Sequence, residues 1–244
     1  MFKRGLSHIE FVISFIIFIG FLVFAFVFFN PLQSNRTIES TLDYAWLEVS
    51  EEARDVAETY SVSIDPAQVA LSLVSLEIPG ISPEYNASVE DIDGNVVPSY
   101  SRRSDGNVRV TFDRNNTLTS NKYFFRIRYS PSLYAGAPIA GSPILLSNDD
   151  QYYISSSEKN EFYFESLFTK LKDDYDSNYT LLKQRFNLPN RMEFGFMLKL
   201  NNGTEISAIN EIPENYEVLS KTDRVQLILS SGKIEYGDVF VFVW

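Results

Sequence analysis

The chain has 244 residues, of which 45% are apolar and 22% are charged, and its formal net charge is −11. It contains no Cys and a single His, His8. This composition excludes disulfide scaffolds, Cys-ligated zinc or iron–sulfur sites, and Ser-His-Asp catalysis in the body of the chain. The 21 Lys and Arg residues are not clustered in any segment. A duplex-binding protein normally presents a basic face, so we expect no nucleic-acid partner.

Residues 11–29 form an apolar run without a charged side chain. A helix of that length rises roughly 28 Å, close to the ~30 Å hydrocarbon core of a bilayer, so the run predicts a transmembrane helix over 6–30. Lys3 and Arg4 precede it, which predicts a cytoplasmic N-terminus and an extracellular C-terminal domain. The run lacks the small-x-small ending of a cleaved secretory signal, so we expect it to be retained.

The residues before this run form a short motif. Lys3 and Arg4 precede Gly5, Leu6 follows, and Glu10 is the fifth residue after the glycine. This pattern resembles the class III (prepilin-type) signal of type IV pilins and related archaeal surface-filament subunits. The resemblance implies that residues 1–5 are a leader, that a prepilin peptidase cuts between Gly5 and Leu6, and that the apolar helix packs against like or related pilin subunits.

Glu10 has a physical role in such an assembly. Cleavage would create an α-amino group on Leu6 at the tip of an apolar helix. A buried amine is costly unless it is paired, and a carboxylate from a neighbouring subunit can pair with it. Because Glu10 lies about one turn from Leu6, this pairing would also fix the axial stagger between subunits.

Residues 31–60 have a helical period, with apolar side chains from Ile38 to Tyr60 on one face, and predict a juxtamembrane amphipathic helix. From residue 61 the period changes to that of strands, separated by turn signals at residues 93–95, 105–107 and 131–143. The helical period returns near 161–186, where an acidic run predicts a break with Asp176 or Ser177 as a second cap. Residues 239–244 are apolar on both faces, which predicts a central or covered strand.

These patterns predict an α+β fold class. It consists of a single N-terminal transmembrane helix and a mainly antiparallel, β-rich extracellular domain over 61–244. An amphipathic helix precedes that domain, and a helical segment is inserted in it. Two subdomains meeting near residues 131–160 are the alternative organisation.

Five Asn-x-Ser/Thr sequons lie beyond the apolar run, and they are candidate glycosylation sites: Asn35, Asn86, Asn115, Asn178 and Asn202. Asn202, in a predicted turn, is the best exposed, and Asn178 on a helix face is the least secure. The run from Asp91 to Asn95 has alternating oxygen donors but lacks the distal Glu of a calcium loop, and a hairpin turn explains it better.

No catalytic motif, metal site or cofactor fingerprint occurs, so we expect a protein that is not an enzyme. The motifs favour a pilin-like filament subunit with an outward head for subunit contacts or adhesion. An anchored, non-polymerising domain that binds a sugar or a protein is the alternative. A surface glycosidase with an unidentified carboxylate pair is a weaker one.

Overall fold

The computed structural model describes residues 3–28, 31–65, 73–104, 106–114, 123–146 and 151–244. Three helices lie in these ranges: α1 (Lys3–Phe28), α2 (Pro31–Glu52) and α3 (Glu165–Arg185). The rest is mainly β-sheet. Its strands form one sheet of nine strands and one of four.

The larger sheet has the strand order β11-β10-β13-β12-β9-β1-β7-β3-β4. All neighbours in it are antiparallel except β12 and β9. Its strands are β1 (Arg54–Ile64), β3 (Asn86–Asp91), β4 (Val96–Val97), β7 (Tyr123–Ser130), β9 (Tyr152–Phe164), β10 (Phe194–Leu200), β11 (Glu205–Ala208), β12 (Leu219–Ile228) and β13 (Ile234–Val243).

The smaller sheet covers one face of the β1, β7 and β3 end of the larger sheet. Its order is β5 (Ser99–Ser104), β6 (Asn107–Asp113), β2 (Leu73–Glu77) and β8 (Ile144–Leu145). Alternation directs Phe125, Ile127 and Tyr129 of β7 into the core between the sheets. There the ring centroids of Phe112 and Phe125 lie 4.6 Å apart.

The other end of the larger sheet is covered by the two amphipathic helices. Ala45 and Val49 of α2 are fully buried with the apolar side chains of β10, β12 and β13. Tyr175 of α3 packs edge-on against Phe194, and its hydroxyl donates to the Phe194 carbonyl at 2.8 Å. The same hydroxyl accepts the backbone N–H of Asn210 at 3.1 Å. Burial raises the pKa of Tyr175 to about 12.

The two ends join where β12 runs parallel to β9. This pairing comprises Leu227 with Tyr163 and Ile228 with Phe164. A small core of Ala57, Leu133, Phe164 and Ile228 lies at the junction. One continuous sheet therefore carries both cores.

The predicted transmembrane helix over 6–30 is corrected by the structure. In the part of the chain that is described, no helix is both long and apolar enough to cross a membrane. The predicted fold class, α+β with a single transmembrane helix, is therefore wrong. The predicted membrane-anchored localisation with a cytoplasmic N-terminus and an extracellular domain is wrong for the same reason.

Several element bounds also differ from prediction. The helix predicted over 31–60 is longer than the observed one: α2 ends at Glu52, and residues 54–64 form β1. The break in α3 falls at Asn178, whose Oδ1 accepts the backbone N–H of Leu181 at 3.1 Å, and not at Asp176 or Ser177. The central position predicted for residues 239–244 is confirmed for β13, which lies between β10 and β12.

Candidate functional site

Helix α1 presents apolar side chains on every side. The successive residues Phe15, Ile16, Ile17 and Phe18 are 56%, 64%, 66% and 56% exposed. Successive helical residues are rotated by about 100°, so these four point in four different directions. None of the three apolar cores in the described residues includes a residue of α1. The helix is therefore an apolar surface separate from the folded β-rich head, which consists of α2 and the described part of residues 53–244.

The predicted processing and assembly residues lie at the start of this helix. Lys3, Arg4, Gly5 and Leu6 belong to its first two turns. Glu10 is exposed. Along α1, Glu10 follows Leu6 by four residues. The resemblance-based roles of these residues, cleavage after Gly5 and pairing by Glu10, stay predictions.

The sequons differ in how accessible they are. Asn178 and Asn202 are exposed, and the Oδ1 of Asn202 accepts the backbone N–H of Thr204 at 2.8 Å. Asn86 is half-buried, and its Nδ2 donates to the Leu133 carbonyl at 2.7 Å. Glycosylation needs that nitrogen, so Asn86 is the poorest acceptor of the three. Asn35 belongs to α2, and Asn115 lies outside the described residues.

The run from Asp91 to Asn95 is a closed turn between β3 and β4. Oδ1 of Asp91 accepts the backbone N–H groups of Asp93 and Asn95 at 2.9 and 2.8 Å, and Oδ2 accepts the side-chain amide of Asn95 at 3.2 Å. Both carboxylate oxygens are thus engaged within the turn. Among the described residues, no group of three or more potential metal ligands occurs.

The head carries a polar cleft that the sequence patterns did not predict. It has a volume of about 360 Å³ and is lined by Thr59, Ser61, Arg126, Arg128, Glu158, Asn160, Phe162 and Ile234. The floor is the face of the larger sheet opposite the core, where Thr59 lies beside both Arg128 and Glu158. The available signal was the spacing of Arg126 and Arg128, two apart in a predicted strand, which puts both on one face.

The Arg128 side chain is the most firmly held group of the cleft, because it is only 4% exposed. Its Nη2 donates to Oε2 of Glu90, and Nη1 is buried without a hydrogen-bond partner. Arg126 is 55% exposed, and its Nη1 lies 3.8 Å from the same Glu90 oxygen. One guanidinium is thus buried with one donor group unused, while the other is more than half exposed to solvent.

The hairpin between β12 and β13 covers one side of this polar face. Gly232 at its tip has φ +86°, and a Cβ added there would lie 2.4 Å from Cβ of Ser88. Only glycine permits both this backbone conformation and the close approach to β3. Ile234, just beyond the tip, forms part of the wall of the cleft.

We compared the chain with known protein families, curated proteins and solved structures, and none of them matches it.

Proposed function

We propose that this chain is a type IV pilin-like filament subunit. A prepilin peptidase cuts it after Gly5, and α1 then packs against the equivalent helices of like or related subunits. The β-rich head faces outward and supplies subunit contacts or adhesion. The observation that carries the proposal is the apolar surface of α1, which is exposed on every side and lies apart from the cores of the head.

The size of that surface supports assembly. Thirteen large apolar side chains between Phe11 and Phe26 are 41–81% exposed. Full burial of one such side chain contributes about 1.5–3 kcal/mol, whereas association costs about 4–15 kcal/mol in lost freedom of motion. Burial of most of this surface by neighbouring helices therefore exceeds the cost of association.

Gly20 is suited to close helix packing. Nothing lies within 4 Å of a Cβ added there. A glycine in a helix interior costs about 1 kcal/mol relative to alanine, so it is unfavourable for α1 alone. A neighbouring helix can approach most closely at a position without a side chain, and that contact offsets the cost.

Intact-mass measurement of the protein purified from its native host tests processing. We expect a chain that begins at Leu6. A chain that begins at Met1 or Phe2 would contradict the proposal and would favour the alternative, a head that binds its ligand without polymerising.

Substitution of Glu10 tests assembly. The Glu10→Ala chain should be cleaved normally but should enter sedimentable filaments at least about tenfold less, because the α-amino group of the neighbouring Leu6 loses its carboxylate and an unpaired buried charge costs several kcal/mol. Glu39→Ala is the matched control, since Glu39 is an exposed carboxylate on α2. Normal filament entry by Glu10→Ala would contradict this role.

A further inference from the structure

We propose that the polar cleft formed by strands β1, β7 and β9 and residue Ile234 binds a neutral saccharide. The site is on the head and uses no residue of α1. Saccharide binding at this cleft is a function separate from filament assembly, and neither proposal depends on the other. Three features support a saccharide: an unsatisfied buried donor, balanced charge, and an apolar wall beside the polar floor.

The unsatisfied donor is Nη1 of Arg128. The ion pair with Glu90 holds the guanidinium in place, yet Nη1 has no hydrogen-bond partner. An unsatisfied buried donor costs about 1–3 kcal/mol, and more when the group is charged. An acceptor oxygen from a ligand would remove this cost once a small shift of a neighbouring cleft side chain uncovers Nη1, because the guanidinium itself is already fixed.

The balance of charge favours a neutral ligand. Glu90 lies against both Arg128 and Arg126, and Glu158 adds a second carboxylate to the cleft. The two positive charges are therefore matched by two negative ones. An anion would gain little net attraction, because Glu90 already lies against both guanidinium groups and Glu158 lines the cleft. Hydroxyl groups both donate and accept, so they suit a site that contains guanidinium and carboxylate groups together.

The remaining groups match a sugar ring. Thr59 and Ser61 offer hydroxyls from adjacent positions on one face of β1, and Asn160 offers an amide that both donates and accepts. Asn160 is already placed 3.5 Å from Oε2 of Glu158. The half-buried Phe162 and Ile234 also line the cleft and provide apolar surface for the C–H groups of the ring.

The volume limits the size of the ligand. A cleft of about 360 Å³ lies at the lower end of the roughly 300–1,000 Å³ that small-molecule sites occupy. It accommodates a mono- or disaccharide unit, either free or at the end of a longer glycan.

The test is saturation-transfer NMR on the full chain, in a zwitterionic detergent without a sugar headgroup. The probes are glucose, galactose, mannose and N-acetylglucosamine, with glucuronate as the anionic comparison. We expect transfer to at least one neutral sugar. Loss of a hydrogen bond in the site should weaken it, so Arg126→Ala and Asn160→Ala should each raise Kd about tenfold. Both positions are exposed, and circular dichroism checks that both variants fold.

Lys199→Ala is the control. Lys199 is an exposed cation on β10 that pairs with Glu205 on the edge strand β11, and it should leave sugar binding unchanged. Transfer to none of the four neutral sugars overturns the proposal. Transfer to glucuronate alone also overturns it, because the charge balance would then be wrong. Binding that survives both Arg126→Ala and Asn160→Ala overturns it by placing the sugar elsewhere.

Discussion

At the scale of single residues, Tyr175 couples folding to pH. An unfolded tyrosine ionises near pH 10, whereas burial raises the pKa of Tyr175 to about 12. Its contribution to the free energy of unfolding is fully present below pH 10 and is lost as pH rises towards 12, because only the unfolded state releases the proton there. When the pH is raised from 9 to 11, the free energy of unfolding should fall by about 1 kcal/mol less in Tyr175→Phe than in the wild type. Urea unfolding at both pH values measures the two losses.

At neutral pH the same variant should be less stable than the wild type by about 1–3 kcal/mol. The phenyl ring leaves the Phe194 carbonyl and the Asn210 N–H without their partner. Tyr236→Phe is the control, because Tyr236 is 50% exposed. Equal pH profiles for wild type and Tyr175→Phe would show that other groups control the alkaline loss of stability.

At the scale of elements, two β-hairpin turns form a natural comparison. Gly203 and Gly232 both have φ +86°. The N–H of Gly203 donates to the Leu200 carbonyl, and the N–H of Gly232 donates to the Leu229 carbonyl. A Cβ at position 203 meets open space, whereas one at position 232 would meet Ser88. Gly203→Ala should cost about 1–2 kcal/mol of backbone strain in urea unfolding. Gly232→Ala should cost about 1–3 kcal/mol more through overpacking.

If the two alanine variants lose the same free energy of unfolding, the β12–β13 hairpin does not rest on β3. The comparison is informative because the shared φ makes the backbone strain equal. The difference therefore isolates the contact that closes one side of the polar face.

The elements that could be read from the sequence are those with a strong period. Strand β7 alternates apolar and polar residues, and the end of β13 is continuously apolar. Both strands were predicted from the sequence. Strand β9 has the sequence YYISSSEKNEFYF, and its middle residues are exposed on both faces, so no alternation marks it. Its pairing with β1 over the full length is what makes it a strand. Residues 54–60 satisfy a helical and a strand period at once, and tertiary pairing decides between them.

The candidate sites also differ in whether a local sequence pattern or tertiary pairing forms them. The motif around Gly5 is local in sequence, so a cleavage site could be predicted there, and the cleavage stays a prediction. The polar cleft combines residues from β1, β7 and β9, together with Ile234, which lie far apart in the chain. Arg126 and Arg128 were predictable as neighbours on one face, but their partner Glu90 was not, because register between strands is set by the packed core.

At the scale of the whole molecule, α1 and the head should behave as separate units. The cores of the described residues use no side chain of α1. A chain that lacks residues 1–30 should therefore unfold at the same urea concentration as the full chain in the same detergent. It should sediment as a monomer where the full chain associates, because the exposed apolar surface has been removed. A lower unfolding midpoint for the shortened chain would mean that α1 stabilises the head.

The packing of α2 on β13 has a consequence for synthesis. The face of α2 that carries Leu42, Ala45 and Val49 is buried in one core with Val239 and Val241. Helix α2 ends at Glu52 and β13 begins at Ile234, a separation of 182 residues (234 − 52). At about 5–20 residues per second, the ribosome needs roughly 10–35 s to produce the strand that covers this helix. A nascent chain therefore exposes the apolar helix α1 and the apolar face of α2 for that time, which makes early protection by a chaperone important for its yield.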